Sequence, residues 1–261
     1  MKTALITGAS SGIGAEFARQ LAANKLDLVL VARSQDTLDH LAKELRQQHG
    51  IQADVIVQDL TEANASLSVA HQVEELGLVI DLLINNAGFG DYGPFAEGVL
   101  NRQTTMIQLN ICALVELTRV FLPTMLERRQ GGIINVASIA GFQPMPYWSV
   151  YAASKAFVLC FSEALWAEVK EKGVKVLALC PGPTESKFFE AAGVSNDSEM
   201  NSSLNQLDSV ENVVKSALVA LESGQPNTVT GGLMTQIIAN LPRLLPRDVL
   251  VDLVEKQFRS S

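Results

Sequence analysis

Tyr151 and Lys155 are the residues of this sequence whose types and spacing most directly suggest chemistry. They lie four residues apart in a stretch of helical periodicity, Ser149 to Lys172, so both side chains project from one helix face. A tyrosine with a pKa of about 10 exchanges protons slowly at neutral pH, and a nearby ammonium group favours the phenolate. The pair therefore predicts a proton-transfer site, although such a pair arises by chance about 0.1 times in a chain of this composition.

Ser138 is a second candidate catalytic residue. It follows the apolar segment Ile133 to Ala137 and precedes Tyr151 by 13 residues. If that segment is a strand of a parallel sheet, Ser138 lies at the carboxyl edge of the sheet, where ligands bind. Its hydroxyl could then donate a hydrogen bond to the same substrate oxygen that Tyr151 serves.

A glycine-rich segment near the start of the chain could bind phosphate groups. An apolar run, Ala4 to Thr7, leads directly into it, and a helical pattern, Ala15 to Ala23, follows. Glycines let the backbone approach a pyrophosphate closely, and the helix N-terminus supplies unpaired N–H groups. The alternative is a tight strand-to-helix turn without a ligand. The candidate cofactor residues in this segment are Gly8, Ser10, Ser11, Gly12, Ile13 and Gly14.

Arg33 occupies the position that distinguishes the two nicotinamide dinucleotides. It follows the second predicted strand, about 20 residues after the glycines, where an acidic residue would bind a ribose 2′-hydroxyl. A guanidinium group there can instead bind a 2′-phosphate, which a carboxylate would repel. The sequence thus favours NADP(H) over NAD(H); the alternative is an ordinary solvated arginine.

The elements around these residues alternate between strands and helices. Each short β-branched run is followed by a longer helical pattern, which predicts a doubly wound parallel sheet with helices on both faces. The predicted helical stretches include Ala15 to Ala23, Gln35 to His49, Asn101 to Arg128 and Ser149 to Lys172. We therefore expect an α/β, Rossmann-like fold of about seven strands, formed by a single domain over residues 1–261. The predicted strands are Ala4 to Thr7, Leu28 to Ala32, Val55 to Val57, Asp81 to Ile84, Gly132 to Ala137, Val174 to Leu179 and Thr228 to Thr230.

Composition excludes several classes of protein. Hydrophobic residues make up 48% of the 261 residues and charged residues 18%, which excludes a disordered chain. The net charge of −8 argues against nucleic acid and anionic membranes as partners. The three cysteines, with no zinc-ligand spacing, suit a reducing compartment. We expect a cytoplasmic protein without a metal site or a membrane contact.

Taken together, the motifs resemble those of the short-chain dehydrogenase/reductase family. They occur in the family's order and at its spacings, and they span residues 7 to 182. The motifs are Thr7-Gly8-x-x-x-Gly12-x-Gly14, Asn85-Asn86-Ala87-Gly88, Asn110, Ser138, Tyr151-x-x-x-Lys155 and Pro181-Gly182.

The resemblance implies a role for each catalytic candidate. Tyr151 would be the general acid and base for the carbonyl or alcohol oxygen, and Ser138 would position and polarise that oxygen. Lys155 would lower the pKa of Tyr151 and bind the nicotinamide ribose. Asn110 would hold a water that links Lys155 to solvent. A carbonyl and an alcohol would be interconverted by hydride transfer with NADP(H).

The resemblance also implies further cofactor contacts. Asp59 and Leu60 would lie against the adenine, and the backbone of Asn86, Ala87 and Gly88 along the adenosine ribose. Pro181 and Gly182 would border the nicotinamide. The family's threonine, five residues after that proline, is Ser186 here, and Thr184 lies two residues earlier. We take Thr184 as the candidate, and which hydroxyl meets the carboxamide stays open.

Aromatic residues suggest a hydrophobic substrate. If the loops that carry Phe142, Pro144, Met145, Pro146, Tyr147, Trp148, Phe188 and Phe189 line the pocket, a lipophilic ketone, aldehyde or secondary alcohol fits best. Residues 186–210 are predicted to form a substrate loop and residues 233–261 a C-terminal helical extension. That extension could cover the substrate entrance or a subunit interface, contact a membrane, or bind a partner.

Three further expectations complete the sequence-based picture. Apolar residues around Tyr151 point in several directions, and the family commonly pairs such helices, so we expect a homodimer or homotetramer.

A 3-oxoacyl-(acyl-carrier-protein) reductase is an alternative activity, in which Arg128 and Arg129 could meet an acidic carrier. A non-catalytic NADP(H)-binding sensor or scaffold is the alternative from another class, although such proteins often lack the tyrosine or lysine.

Overall fold

Seven parallel strands form one sheet in the order β3-β2-β1-β4-β5-β6-β7. The computed structural model describes residues 2–186, 188–194 and 207–258. The strand order reverses between β1 and β4, which creates the crevice where ligands bind in doubly wound sheets. The strands are β1 (Thr3–Thr7), β2 (Asp27–Ala32), β3 (Ala53–Val57), β4 (Ile80–Asn85), β5 (Gly131–Val136), β6 (Val174–Pro181) and β7 (Asn227–Thr230).

Helices cover both faces of this sheet, and the strands are apolar because both faces are buried. The side chains of β1 alternate between two cores: Ala4 and Ile6 face one and Leu5 faces the other. The first two helices and the helix Val210–Glu222 cover the first face, and the third, fifth and sixth helices cover the second. The first six helices are α1 (Gly12–Ala23), α2 (Gln35–His49), α3 (Ala65–Glu75), α4 (Leu100–Ile107), α5 (Leu114–Glu127) and α6 (Ser149–Val169).

The remaining helices lie in the C-terminal part of the chain. They are α7 (Phe188–Ala191), α8 (Val210–Glu222), α9 (Leu233–Asn240) and α10 (Arg247–Phe258). Phe258 packs on a cluster that includes Trp148 and Tyr151, so the C-terminal helix lies beside the candidate site. The predicted substrate loop, residues 186–210, falls partly outside the described residues.

A π-helical turn, Gln108–Ala113, interrupts the long helix that the sequence predicts between residues 101 and 128. It joins α4 to α5 and contains Asn110. A π-turn inserts one extra residue into a helix and changes the direction in which nearby side chains point, and such turns are frequent at functional sites. The fold thereby gives Asn110 an orientation that regular helical periodicity does not predict.

Two helical stretches of the described chain have the length and apolar character of membrane spans, Leu100–Glu127 and Ser149–Lys172. Both pack against the sheet in this fold. Met125 of α5 and Val158 of α6 are fully buried in the core. Core helices of this kind meet the same criteria of length and composition.

Candidate active site

The glycine-rich loop between β1 and α1 is shaped to admit a pyrophosphate. Gly8 and Gly12 have φ angles of +65° and +53°, in the left-handed region that favours glycine. A Cβ atom on Gly14 would lie 2.3 Å from the carbonyl oxygen of Gly8, so no larger residue fits there. The half-buried Ser10 and Ile13 and the exposed Ser11 belong to the same loop and first turn. This geometry fits a dinucleotide phosphate group at the N-terminus of α1.

The segment after β4 holds this glycine loop in place. The Asn86 side-chain amide donates to the carbonyl oxygens of Thr7 and Gly8 at 2.9 and 3.2 Å. The Thr7 hydroxyl accepts hydrogen bonds from the backbone N–H groups of Asn86 and Ala87, both at 3.0 Å. The two predicted cofactor segments therefore form one connected unit across the sheet crevice.

Arg33 and Asp59 meet where β2 and β3 end. Their charged groups are 4.0 Å apart, and 78% of the Arg33 side chain is exposed, so the guanidinium group is accessible to a phosphate. Burial raises the pKa of Asp59, but hydrogen bonds from Thr61 and the charge of Arg33 outweigh it and lower that pKa overall. Asp59 is therefore ionised at neutral pH. The neighbouring Leu60 is buried.

Tyr151, Lys155 and Ser138 converge at the carboxyl edge of the sheet. Tyr151 and Lys155 lie in the first two turns of α6 and are 9% and 6% exposed. The Lys155 Nζ atom donates to the carbonyl oxygen of Val136 at 2.8 Å and lies 5.8 Å from the centre of the Tyr151 ring. Ser138 follows β5, and its side chain lies close enough to the Tyr151 phenol to lower the pKa of that group. The three residues that the sequence grouped are thus brought together.

Burial dominates the protonation of this cluster, because it disfavours the charged form of each group. Burial raises the pKa of Tyr151 to about 12, and the hydrogen bond with Ser138 lowers it only in part. Burial lowers the pKa of Lys155 to about 8. The family resemblance implied that Lys155 lowers the pKa of Tyr151. In this structure the burial of the phenol has the larger effect, so the pKa of Tyr151 lies above its ordinary value. Tyr151 keeps its proton at neutral pH.

Asn110 connects this cluster to the segment after β4. Its side chain accepts from the Phe89 N–H at 3.1 Å and donates to the Phe89 carbonyl at 3.0 Å. It also donates to the Ser154 hydroxyl at 3.1 Å, which in turn donates to the Tyr151 carbonyl oxygen at 2.7 Å. A Cβ on Gly88 would lie 2.9 Å from Asn110 Oδ1 and 3.6 Å from Lys155 Nζ. Asn110 is thus adjacent to Lys155, and its link to a water stays a prediction.

The segment after β6 offers two hydroxyl groups. Thr184 is buried and donates to the Gly182 carbonyl oxygen at 2.9 Å, so its hydroxyl points back to its own chain. Ser186 lies beside the glycine loop, since a Cβ on Gly12 would be 3.7 Å from the Ser186 Cβ. The Ser186 hydroxyl also donates to a carbonyl two residues earlier, that of Thr184, at 3.4 Å. Position beside the glycine loop, rather than hydroxyl direction, therefore favours Ser186 over Thr184 as the residue facing the cofactor. Pro181 ends β6, directly before Gly182.

Aromatic rings surround Tyr151. Its ring centre lies 5.6 Å from that of Trp148 and 5.3 Å from that of Phe188. Trp148 also contacts Tyr92 at 5.4 Å and Phe189 at 6.4 Å. Most of the aromatic residues named from the sequence therefore gather in one cluster. Phe142 is an exception, because it packs in a separate cluster with Val158 and Cys180.

The C-terminal helix contacts this aromatic cluster through two tyrosines. The Tyr92 hydroxyl donates to the carbonyl oxygen of Phe258 at 2.9 Å, and the Tyr147 hydroxyl donates to the Glu255 carboxylate at 3.3 Å. A cavity of about 250 Å³ is lined by both tyrosines and by Met106. The aromatic cluster is therefore bordered by a cavity and by α10.

Sequence reasoning did not find several residues of this region. Cys180 is fully buried, and its thiol is close enough to Lys155 and Ser138 to interact with both. Burial raises the pKa of that thiol to about 12, so it is neutral. Tyr92 and Ser154 had no distinguishing spacing.

Arg128 was a candidate contact for an acidic carrier protein. It lies just before β5, at the edge of the sheet opposite Tyr151, and its guanidinium group is 2.7 Å from the Asp81 carboxylate. Arg128 is therefore not placed to guide a carrier to this site.

Comparison with known proteins agrees with this geometry. A sequence model of the short chain dehydrogenases matches residues 2–197. A very-long-chain 3-oxoacyl-CoA reductase from Homo sapiens is 32% identical over 247 residues, which cover 92% of this chain and 75% of that protein. A reductase of the same name from Anas platyrhynchos is 38% identical over 198 residues, which cover 74% of this chain and 63% of that protein. The chain thus spans between about two thirds and three quarters of these relatives' length.

Two solved structures are also similar to this chain. A short-chain dehydrogenase from Sphingobium yanoikuyae in complex with NADPH superposes with a TM-score of 0.81 at 35% identity, covering 88% of this chain and 87% of the other. A bulky-bulky ketone specific alcohol dehydrogenase from Comamonas testosteroni gives 0.77 at 31% identity, covering 98% and 92%. The similarity extends beyond the sheet, since the second alignment covers nearly the whole chain.

Proposed function

This chain belongs to the short-chain dehydrogenase family, and we propose that it is an NADP(H)-dependent oxidoreductase that interconverts a hydrophobic ketone or aldehyde with the corresponding alcohol. The observation that carries the proposal is the contact of Tyr151 with both Ser138 and an aromatic cluster, beside a loop shaped for phosphate. A phenol in that setting can exchange a proton with an oxygen held in an apolar pocket.

Preference for NADP(H) is supported by Arg33. Its exposed guanidinium can form paired, charge-assisted hydrogen bonds with a 2′-phosphate. The similar dehydrogenase from Sphingobium yanoikuyae was solved with NADPH. Gly8, Gly12 and Gly14 would hold the pyrophosphate, and Ser186, which lies beside Gly12, would meet the nicotinamide carboxamide.

NADPH supplies the hydride when it is bound, and the residues of the chain supply position and proton. Because burial raises the pKa of Tyr151 to about 12, its hydroxyl is protonated and can donate to the carbonyl oxygen during reduction. Ser138 orients the same oxygen. Lys155, with its pKa lowered to about 8, still carries charge at neutral pH and stabilises negative charge that forms on the phenol. The aromatic rings exclude water from this step.

A 3-oxoacyl thioester is the second candidate substrate class. The similar proteins from Homo sapiens and Anas platyrhynchos are named very-long-chain 3-oxoacyl-CoA reductases. Such a substrate combines a ketone with an apolar chain, and the aromatic cluster fits both features. The position of Arg128 gives no support to an acyl-carrier-protein as the carrier, so a coenzyme A thioester is the form to test.

We assign α10 the role of a cover over the substrate entrance. Leu250 and Val254 are buried beneath the helix, and Tyr92 and Tyr147 bond to its last two turns. An apolar substrate would then be enclosed between α10 and the aromatic cluster.

A homodimer or homotetramer is part of the proposal. Exposed apolar residues lie on α4 and α6: Leu100, Ile107 and Phe157 are 73%, 42% and 41% exposed. Pairing of these helices with a second subunit would remove that surface from water. Light scattering of the purified protein at micromolar concentration tests this point, and a monomeric mass contradicts it.

Turnover with a panel of carbonyl compounds tests the proposed function. The purified protein is mixed with NADPH or NADH and with small aldehydes, bulky ketones, a sugar and a 3-oxoacyl coenzyme A, and the loss of reduced cofactor is followed by absorbance. We expect turnover with NADPH and the bulky or long-chain ketones. NADPH binding without turnover of any carbonyl would favour the sensor alternative, and a preference for the sugar would contradict the substrate class.

A further inference from the structure

Arg102 connects three segments that are far apart in the sequence. It lies in the first turn of α4. Its Nε atom donates to Asp91 at 2.6 Å, and its Nη2 atom donates to the carbonyl oxygens of Gly90 at 3.2 Å and Ala191 at 2.6 Å. The guanidinium carbon also lies 5.2 Å from the centre of the Phe89 ring. One side chain therefore joins α4, the segment after β4 and the end of α7.

The contact with Ala191 is made at the carboxyl end of α7. The last carbonyl groups of a helix have no partner within it, and a cation there forms favourable hydrogen bonds and interacts with the helix dipole. The next carbonyl, that of Ala192, accepts from the Tyr92 N–H at 3.0 Å. Because α7 has only four residues, it depends on such outside contacts for its position.

Helix α7 carries the ring that lies against Tyr151. Phe188, its first residue, is 5.3 Å from the Tyr151 ring and stacks on Trp148 at 6.3 Å with an angle of 12° between the planes. A Cβ on Gly90 would lie 2.8 Å from Phe188 Cζ, so the segment that Arg102 binds also contacts this ring. Movement of α7 would therefore change the shape of the pocket above Tyr151.

We propose that Arg102 is a positioning residue that sets the fit of bulky substrates. Its guanidinium, oriented by Asp91, fastens the end of α7 and so holds Phe188 over Tyr151. The inference rests on the proposed function. Arg102 contacts backbone carbonyls, Asp91 and the Phe89 ring, and it acts on the reaction through α7 rather than on the reacting atoms.

The geometry requires an arginine at this position. The planar guanidinium group directs separate N–H groups at Asp91 and at the two carbonyl oxygens, whereas a lysine ammonium is a point charge on a flexible chain. Arg102 and Asp91 are 40% and 20% exposed, so their ion pair alone is screened by solvent. The contribution of Arg102 is therefore its directed contact with α7, and Arg102→Lys retains only part of it.

Steady-state kinetics with two substrates tests the proposal. The holoenzyme is compared in its wild-type, Arg102→Met, Arg102→Lys and Asp91→Asn forms, using a small aldehyde and a bulky ketone. Losing a charge-assisted hydrogen bond raises KM for the bulky ketone about tenfold in Arg102→Met, and less in Arg102→Lys and Asp91→Asn. The kcat for the small aldehyde and the Kd of NADPH stay unchanged. Arg119→Met, at an exposed arginine of α5, is the matched control with wild-type kinetics.

Hydrogen exchange supplies a readout that does not depend on activity. The amides of residues 188–194 are expected to exchange faster in Arg102→Met than in wild type or Arg119→Met, while those of β5 are unchanged. Equal exchange in all three proteins, or KM values that rise equally for both substrates, would overturn the proposal. If wild type reduces no carbonyl but residues 188–194 still exchange faster in Arg102→Met, the proposed function fails while the anchoring of α7 stands.

Discussion

The cofactor side and the substrate side of the crevice are built in different ways. On the cofactor side, the site is formed by the backbone of the loop from Gly8 to Gly14. The side chains of Asn86 and Thr7 hold this backbone in place through hydrogen bonds of 2.9 to 3.2 Å. On the substrate side, rings of Tyr92, Trp148 and Phe188 meet from three separate segments. A backbone cradle accepts one ligand shape, whereas a side-chain pocket can change its size with single substitutions.

This difference predicts how substitutions on the two sides behave. Damage to the cofactor side should reduce turnover of every substrate equally, since all reactions share the dinucleotide. Damage to the substrate side should depend on substrate size. Tyr151 lies at the boundary, because it contacts both Ser138 and the aromatic rings.

Replacement of Tyr151 should have the largest effect. Tyr151→Phe removes the proton donor but keeps the ring that packs against Trp148 and Phe188, so the fold and NADPH binding are retained. We expect kcat to fall about 10²- to 10⁴-fold for every carbonyl substrate. NADPH oxidation and NADPH fluorescence measure the two quantities. Unchanged turnover would remove Tyr151 from the mechanism.

Gly14→Val should weaken NADPH binding about 100-fold, because its Cβ would lie 2.3 Å from the Gly8 carbonyl oxygen and displace the loop. Gly50→Ala is the matched control. Gly50 also has a positive φ, of +66°, but open space around it, so this variant loses about 1 kcal/mol of stability without loss of NADPH affinity. Fluorescence titration distinguishes the two variants. Equal NADPH affinity in both variants would show that the loop from Gly8 to Gly14 does not bind the pyrophosphate.

Arg33→Ala should raise the Kd of NADPH about 10- to 100-fold and leave that of NADH nearly unchanged, since only NADPH carries the 2′-phosphate. Titration of the variant and wild type with both dinucleotides gives the ratio. An equal loss of affinity for NADPH and NADH would mean that Arg33 acts through its ion pair with Asp59 and does not bind the 2′-phosphate.

Burial of Lys155 should appear in the pH dependence of stability. Its pKa is lowered from 10.5 to about 8, so between these values the unfolded chain binds more protons than the folded protein, and stability rises with pH. In cofactor-free protein, the difference in unfolding free energy between wild type and Lys155→Met should increase with pH between about pH 8 and 10, with a slope that approaches about 1.4 kcal/mol per pH unit once the folded lysine has lost its proton. Denaturant titration measures it, and a constant difference would mean that Lys155 is solvated.

The smallest effect is expected at the edge of the pocket. Tyr147→Phe removes the hydrogen bond to Glu255 and should raise KM for bulky ketones about 2- to 10-fold, with no change for small aldehydes. Glu255→Gln, which keeps an acceptor for the Tyr147 hydroxyl, should have a smaller effect. Kinetics with both substrate sizes test this. An equal change for small and bulky substrates would show that α10 does not cover the entrance.

Local sequence patterns were sufficient to predict most of the fold. The predicted strands overlap all seven observed ones, and the predicted helix from Gln35 to His49 has the observed bounds. Buried strands and amphipathic helices have characteristic periodic patterns of apolar residues, which can be recognised in the sequence alone. The π-turn at Asn110 was not predictable, because an extra residue in a helical turn leaves the apolar pattern nearly unchanged. Helix α3 (Ala65–Glu75) was not among the stretches named.

The site was predictable where a motif is local and was not where distant segments meet. Tyr151, Lys155 and Ser138 belong to patterns of fixed spacing, and the structure brings them together. The pKa of Tyr151 depends on burial, which spacing does not report. The choice between Thr184 and Ser186 depends on which residue the fold brings beside the glycine loop. Arg102 has no motif, because its partners come from three separate segments.

Reduction with isotopically labelled cofactor tests the central claim most directly. The protein is incubated with NADPH that carries deuterium at the transferred position and with a bulky ketone, and the alcohol is analysed by mass spectrometry. The account predicts one deuterium on the former carbonyl carbon with wild type and, over the same time, at least about 100-fold less labelled alcohol with Tyr151→Phe. Alcohol without deuterium, or equal labelled product from the Tyr151→Phe protein, would contradict it.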